Sequence, residues 1–331
     1  MRMFGWFKTA VFLLIAALPL TALDDPLAHS LLDQGRADEA VVLLKHQLRS
    51  TPENAQAYNL LCRVYLSVDR WNAAVDACEQ AVKLDPANSE YHLWLGRSYG
   101  KKAEHAWALA AARIAGNVRD QFEIAVRLDP KSVDARDDLA DFYMEAPSIV
   151  GGGETKAEDQ AREIEKLEPS QGDLVRARIA EKRKDFSEAA NQCNRAIRES
   201  GGAPGPWLEL ARVYRHTSRF AEMDDAILHA TGSKGSRPDV LNSAAQILIQ
   251  SDHNLGQAEH FLQRYLASPS PSEDAPVFKA HYLLGTLLER RGQPEQAVTE
   301  YQAALTLAAN FAPARSALER LTNRAGNEGI R

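Results

Sequence analysis

Three consecutive glycines, Gly151–Gly153, stand between an apolar pair, Ile149-Val150, and Glu154-Thr155-Lys156. Backbone amides in such a run can cradle phosphate. A phosphate loop requires Gly, four residues, then Gly-Lys-Ser/Thr after a strand. Here a helix-like segment (residues 132–146) comes first and no Gly-Lys-Ser follows. A dinucleotide fingerprint fails for want of a preceding strand and of an acid about 20 residues on. What chemistry is left is an anion held by amides at the start of the next helix. The structural reading is an enlarged turn: Pro147 ends one helix, Ile149 and Val150 tuck inward, and the glycines reverse the chain at positive φ.

Other reactive side chains form no catalytic pattern. There is no His-Glu-x-x-His, Gly-x-Ser-x-Gly or Cys-x-x-Cys. His253 and His260 lie seven apart, but Leu255-Gly256 is expected at a turn between them, so the nine histidines read as scattered surface groups. Cys62, Cys78 and Cys193 lack metal spacing. Cys62 and Cys78 are either buried thiols or a disulfide. No cofactor, metal or catalytic residue is expected, and the chain is read as not an enzyme.

These residues belong to a chain of 331 with 45% hydrophobic content and a formal net charge of −6. That charge argues against a general nucleic-acid binder, which carries a dominant basic surface. Residues 1–22 have the layout of a secretory signal peptide. Arg2 and Lys8 are basic, Thr9–Leu20 is apolar, and Ala22 ends the segment. Leu20 is a poor residue three before the cut, so an uncleaved anchor is the alternative. No later segment could span a membrane. The mature chain is expected to be exported, periplasmic or secreted, with no membrane span after the signal segment and an oligomeric state left open.

Self-similarity is the dominant signal. Residues 57–86 and 280–308 each read as two amphipathic helices joined by a short polar turn. The first supplies Tyr58, Leu61, Cys62, Tyr65, Ala74, Cys78, Ala81 and Pro86. The second supplies His281, Leu284, Gly285, Leu288, Ala297, Tyr301 and Ala304. This spacing of large and small residues resembles the tetratricopeptide repeat, a helix–turn–helix unit of 34 residues. Small residues at positions 8, 20 and 27 let the helices of a unit approach, and large ones at 4, 7, 11 and 24 fill the space between units. Weaker copies occur around Ala28, Ala177 and Trp207, and the weakest places Gln246 and Tyr265 where small residues belong. The resemblance implies an all-α, right-handed superhelical solenoid of about eight units over residues 23–326. Residues 311–326 form a capping helix, and 327–331 a flexible tail. The stretch APSIVGGGETKA (146–157) also resembles one in exported bacterial members of that family.

Two neighbouring units depart from the period. Pro52 to Pro86 is 34 residues, Pro86 to Pro130 is 44, and Pro130 to Pro169 is 39. The first insertion (about 103–119) is alanine-rich and should lengthen both helices, with the turn near Gly116-Asn117 or earlier. Trp107, Leu109 and Ile114 would ride on it, either packed on a neighbour or, for Trp107, as a contact prong. The second insertion (147–153) is the glycine turn.

The resemblance implies that the first helix of each unit lines a concave groove. Its charges would run basic (Arg63, Arg97, Lys101), acidic (Asp137, Asp141), then basic (Arg178, Arg212). Asn59, Arg63, Arg97 and Lys101 loosely resemble the Lys/Arg/Asn set with which members of this family clamp a peptide carboxylate. An ordinary solvated face is the alternative. The expected function is a non-catalytic scaffold binding a protein or peptide in that groove, in the bacterial cell envelope. The second expectation is a solute-handling accessory, favoured if Trp107 and Ile149 enclose a cavity.

Overall fold

The computed structural model describes residues 26–233 and 237–328, and the signal-like segment 1–22 lies outside them. Eight helical pairs follow one another. They are α1 (Pro26–Asp33) with α2 (Ala37–Ser50), α3 (Ala55–Ser67) with α4 (Trp71–Leu84), and α5 (Ser89–Glu104) with α6 (Ala108–Leu128). Next come α7 (Val133–Glu145) with α8 (Glu154–Glu165), α9 (Pro169–Lys182) with α10 (Phe186–Glu199), and α11 (Pro204–His216) with α12 (Phe220–Gly232). The last are α13 (Asp239–Gln250) with α14 (Leu255–Leu266) and α15 (Val277–Arg290) with α16 (Pro294–Leu307). A terminal helix, α17 (Ala312–Glu328), covers the eighth pair, and it extends through residues 327 and 328 of the expected tail. The result is an all-α superhelical repeat fold.

Local chemistry explains the boundaries. Asn54, Asn88, Ser132 and Asp185 cap α3, α5, α7 and α10 by accepting backbone N–H bonds from the first turn. Proline opens α9, α11 and α16, where a missing N–H costs nothing. Inside a pair, six repeats turn alike. A residue of positive φ (Gly35, Asp69, Lys184, Ser218, Asp252 or Gly292) ends the first helix. The N–H of the next residue then donates five residues back, as from Arg70 to the Tyr65 carbonyl at 2.9 Å and from Asp185 to that of Ala180 at 2.9 Å. This satisfies carbonyls the helix end would otherwise leave open.

The small positions do what the repeat pattern demands. Ala40, Ala74, Ala81, Ala189, Ala196, Ala297 and Ala304 are fully buried. Gly96 and Gly285 leave room for the rings of Phe122 and Tyr301. In the seventh repeat the register moves by one: Ala245 is buried and Gln246 is exposed. Tyr265 is buried there too, its hydroxyl donating to the Ala275 carbonyl in the linker before α15.

The two irregular repeats differ from expectation in part. The turn of the third lies at His105–Trp107, so Gly116 and Asn117 are inside α6. The first ten residues of α6 include none that is fully buried. Trp107 is 69% exposed, as is Leu109, so neither packs on a neighbouring unit, whereas Ile114 lies against the core. In the fourth, Ser148–Val150 forms a single 3-10 turn, and Ile149 points to solvent at 91% exposure rather than tucking inward. The reason is local: Gly153 N–H already donates to the Tyr143 carbonyl at 2.8 Å, which closes the turn beneath Ile149. Gly152 is held so tightly that an added Cβ would fall 1.7 Å from the Ala146 oxygen. Gly152→Ala should therefore cost at least about 2 kcal/mol, read as a lower urea midpoint. An unchanged midpoint would mean that the turn has another conformation.

The array also closes on itself. Gly35, with φ of 67°, sits so close to Val277 that a Cβ would lie 2.7 Å from its backbone nitrogen. The Asp38 carboxylate accepts the Ala309 N–H at 2.7 Å. Phe278 and Phe311 pack edge to face, with ring centroids 5.1 Å apart, in one apolar cluster with Leu31 and Leu44. The eighth repeat thus returns to the first two and makes a ring whose first helices face inward.

Candidate inner-face binding site

A cavity of about 1000 Å³ occupies the inner side of the ring from the second repeat to the sixth. Its floor is apolar: Leu66, Val118, Phe122, Phe142, Met144 and Phe186. Phe142 and Met144 flank Tyr143, which points into the core, so they fall to either side of the inward face of α7.

Charged residues surround the floor and largely match one another. Arg97 of α5 holds Asp138 of α7 at 2.5 Å. Arg178 of α9 binds both Asp137 and Asp141, the latter at 3.0 Å. Lys182 meets Glu145 at 2.6 Å, and Lys101 meets Glu104 at 3.0 Å. Arg212 pairs with Glu209. Arg97, Arg178 and Lys182 thus link adjacent repeats, whereas Lys101 and Arg212 pair within their own helices. Such partly buried pairs fix the geometry more than they add stability.

Arg63 lies apart, in a smaller cavity of about 380 Å³ shared with Trp94 and Arg97. Both guanidiniums lie over the Trp94 ring, 4.8 and 4.7 Å from its centroid. Glu273, from the linker between α14 and α15, presents both carboxylate oxygens to Arg63. The carboxylate on Arg63 is thus the chain's own. Asn59 is buried, with an amide nitrogen that has no hydrogen-bond partner, so it is not displayed in the groove. Of the anticipated residues, the large cavity gathers Arg97, Lys101, Asp141 and Arg178. Asn59, Asp137, Arg212 and Trp107 do not line it.

Sequence reasoning passed over Phe142, Met144, Phe186, Glu181 and Glu273. Met144 falls at the twelfth position of its unit, a groove position, and was legible there; Glu273 lies outside any repeat. The histidines are also more engaged than expected. His105, His216 and His253 stack on Trp71, Phe186 and Phe220, each ring opening the second helix of the preceding repeat. His253 sits in a turn and His260 within α14, so the two are separated, although Leu255-Gly256 opens that helix rather than forming the turn. Among the described residues, no cluster of three or more His, Cys, Asp or Glu could hold a metal. No described helix is long and apolar enough to cross a membrane.

Glu181 is electrostatically distinct. Burial, and secondly the Glu209 carboxylate, push it up to about 7, against the pull of Arg212, Arg215 and Arg178. The folded chain therefore holds this proton more tightly than the unfolded one. The stability it contributes is complete below about pH 4.5 and is lost as pH rises through about 7. Glu181→Gln should gain stability relative to the parent between pH 5 and pH 8, read from urea midpoints at both. An identical difference at the two pH values would refute the assignment.

Residues 31–97 and residues 278–311 each match a sequence model of the tetratricopeptide repeat. Both segments are tetratricopeptide repeats. Yeast Tom70 shares the architecture at a TM-score of 0.56 and 14% identity, over 89% of this chain and 60% of that one. The chain therefore spans 60% of the Tom70 chain. A thermophilic tetratricopeptide repeat protein of Thermus thermophilus, TTC0263, aligns at 0.46 and 18% identity, over 61% of this chain and 96% of that one. These likenesses concern the fold alone. No curated protein sequence matches the chain. Tetratricopeptide arrays in general are interaction scaffolds, their stacked units presenting extended concave surfaces.

Proposed function

We propose that this tetratricopeptide repeat protein is a non-catalytic scaffold that holds a segment of a partner protein in its inner cavity. The observation that carries this reading is the apolar floor of Phe142, Met144 and Phe186 within a frame of charges that are already paired. Apolar side chains of the partner supply the favourable burial, at about 25 cal/mol per Å². The preformed ion pairs keep the surface rigid, so little ordering cost is incurred on binding. The charges serve as a frame rather than as the principal contacts. Neither Trp107 nor Ile149 lines the cavity, so the feature that would favour a solute-handling role is missing. Trp107 is proposed as a secondary contact on the outer edge.

The proposed compartment is the bacterial cell envelope, after export. The layout of residues 1–22 supports it, as does the disulfide between Cys62 and Cys78, since such bonds persist in oxidising surroundings. The test is site-specific photo-crosslinking in the producing cells, with the photoreactive group at Met144 in the cavity or at Leu228 on the outer surface. A discrete adduct from Met144 alone, lost on Phe186→Asp, supports the scaffold reading. Equal adducts from both positions, or none from Met144, would reject the cavity as the binding surface.

A further inference from the structure

Five carboxyl groups line the large cavity: Glu104, Asp138, Asp141, Glu145 and Glu181. Four are matched by Lys101, Arg97, Arg178 and Lys182, as described above. Glu181 differs. Its side chain is 21% exposed, and its Oε1 is buried and accepts no hydrogen bond. The nearest basic atom is His216 Nε2 at 4.0 Å. Burial and Arg215 lower the pKa of that imidazole, so it is neutral at neutral pH and supplies no counter-charge. Arg212 is held by Glu209, Arg178 by Asp137 and Asp141, and Arg215 has its Nη2 3.2 Å from His216 Nε2 and makes no ion pair with Glu181. A buried carboxyl without a partner is costly in the empty site and gains most from an incoming cation. Phe142 and Phe186 line the same cavity. Lysine and arginine are the side chains that combine an apolar stem with a cationic head.

We propose that Glu181 anchors a lysine or arginine of the bound segment, whose aliphatic stem lies against Phe142 and Phe186. This rests on the scaffold reading above and adds the charge of the partner to it. The segment is then apolar with an embedded basic residue, rather than acidic. The groups facing Glu181 are Glu209, Arg212, Arg215 and His216 from α11 and Arg178 on its own helix; Lys184 lines the same cavity just beyond α9. Glu181, pushed up to about 7, gains its charge as pH rises from 6 to 8, and that change favours a bound cation.

The test uses the purified chain from residue 23 and a phage-displayed random dodecapeptide library as the probe. Selected peptides are then synthesised and their affinities measured by fluorescence anisotropy. The expected motif carries one Lys or Arg among apolar residues. Exchanging that residue for methionine should weaken binding to the parent about tenfold, and to Glu181→Gln less than twofold. Parent affinity should rise between pH 6 and 8, and the profile should flatten in Glu181→Gln. Glu222→Gln, at a carboxylate paired with Arg219 outside the cavity, should behave as the parent. Peptides that need Phe186 but are indifferent to Glu181 overturn the anchor and leave the cavity reading intact. No selected peptide, or peptides equally bound by Phe186→Asp, would overturn the cavity reading itself. Met144→Glu replaces Phe186→Asp if the latter does not fold.

Discussion

Glu273→Lys should open the ring. The Arg63–Glu273 pair joins the second repeat to the linker before the eighth, and its side chains are only 14% and 17% exposed. Lysine would set two cations against each other in that confined place, beside Lys279 and Asp69, which make a second link at 3.5 Å. Breaking a buried pair by losing one partner costs about 3 to 5 kcal/mol, and the residual exposure here argues for about 3. The loss should appear as a lower urea midpoint. X-ray scattering should show an increased radius of gyration, because the eighth repeat no longer returns to the first two. The double variant Arg63→Glu, Glu273→Lys restores the pairing in reverse and should recover part of both effects. Should scattering and stability both be unchanged in Glu273→Lys, the remaining contacts at Gly35, Asp38, Phe278 and Phe311 hold the seam and the ion pair is incidental.

Reduction should have an effect of similar size. Cys62 of α3 and Cys78 of α4 form a disulfide with Cα atoms 5.3 Å apart and a sequence separation of 16. Closing a loop of that length removes freedom from the unfolded chain worth about 3 kcal/mol. Both cysteines are fully buried in the repeat that also carries Arg63, so loosening that helix pair acts on the ring seam as well. Dithiothreitol should lower the urea midpoint of the parent and leave a Cys62→Ala, Cys78→Ala variant unaffected. Thiol titration of the unreduced, denatured protein should find one group, Cys193, rather than three. Three titrating thiols would show that the bridge does not form, and would remove one support for an oxidising compartment.

Much of the architecture was legible because it is local. The small residues at Ala74 and Ala81, the caps at Asn54 and Asn88, and the prolines at 52 and 86 each act within one unit or between neighbours. Their 34-residue period is therefore written directly into the chain. The same holds for the position of the glycine turn. Its detail was less legible. The sequence of Ile149-Val150 suggests inward packing, but the Gly153–Tyr143 hydrogen bond closes the turn first and leaves Ile149 outside. The cysteines illustrate the limit from the other side. Their positions in the repeat put them on facing helices, and only the distance between those helices chooses a bond over two thiols.

The repeat pattern alone established eight helical pairs, a terminal helix and an inward-facing row of charged first helices. It could not establish closure, because the deciding contacts join Gly35 to Val277, Asp38 to Ala309 and Arg63 to Glu273. A repeat encodes how each unit sits on the next, and small rotations accumulate over eight of them before the ends meet or miss. Nor could it say which cavity carboxyl would go unmatched. Asp138, Asp141 and Glu145 find cations one repeat away, whereas no arginine or lysine among the described residues comes within ion-pairing distance of Glu181. That difference is one of lateral distance between helices, and it exists only once the ring is packed.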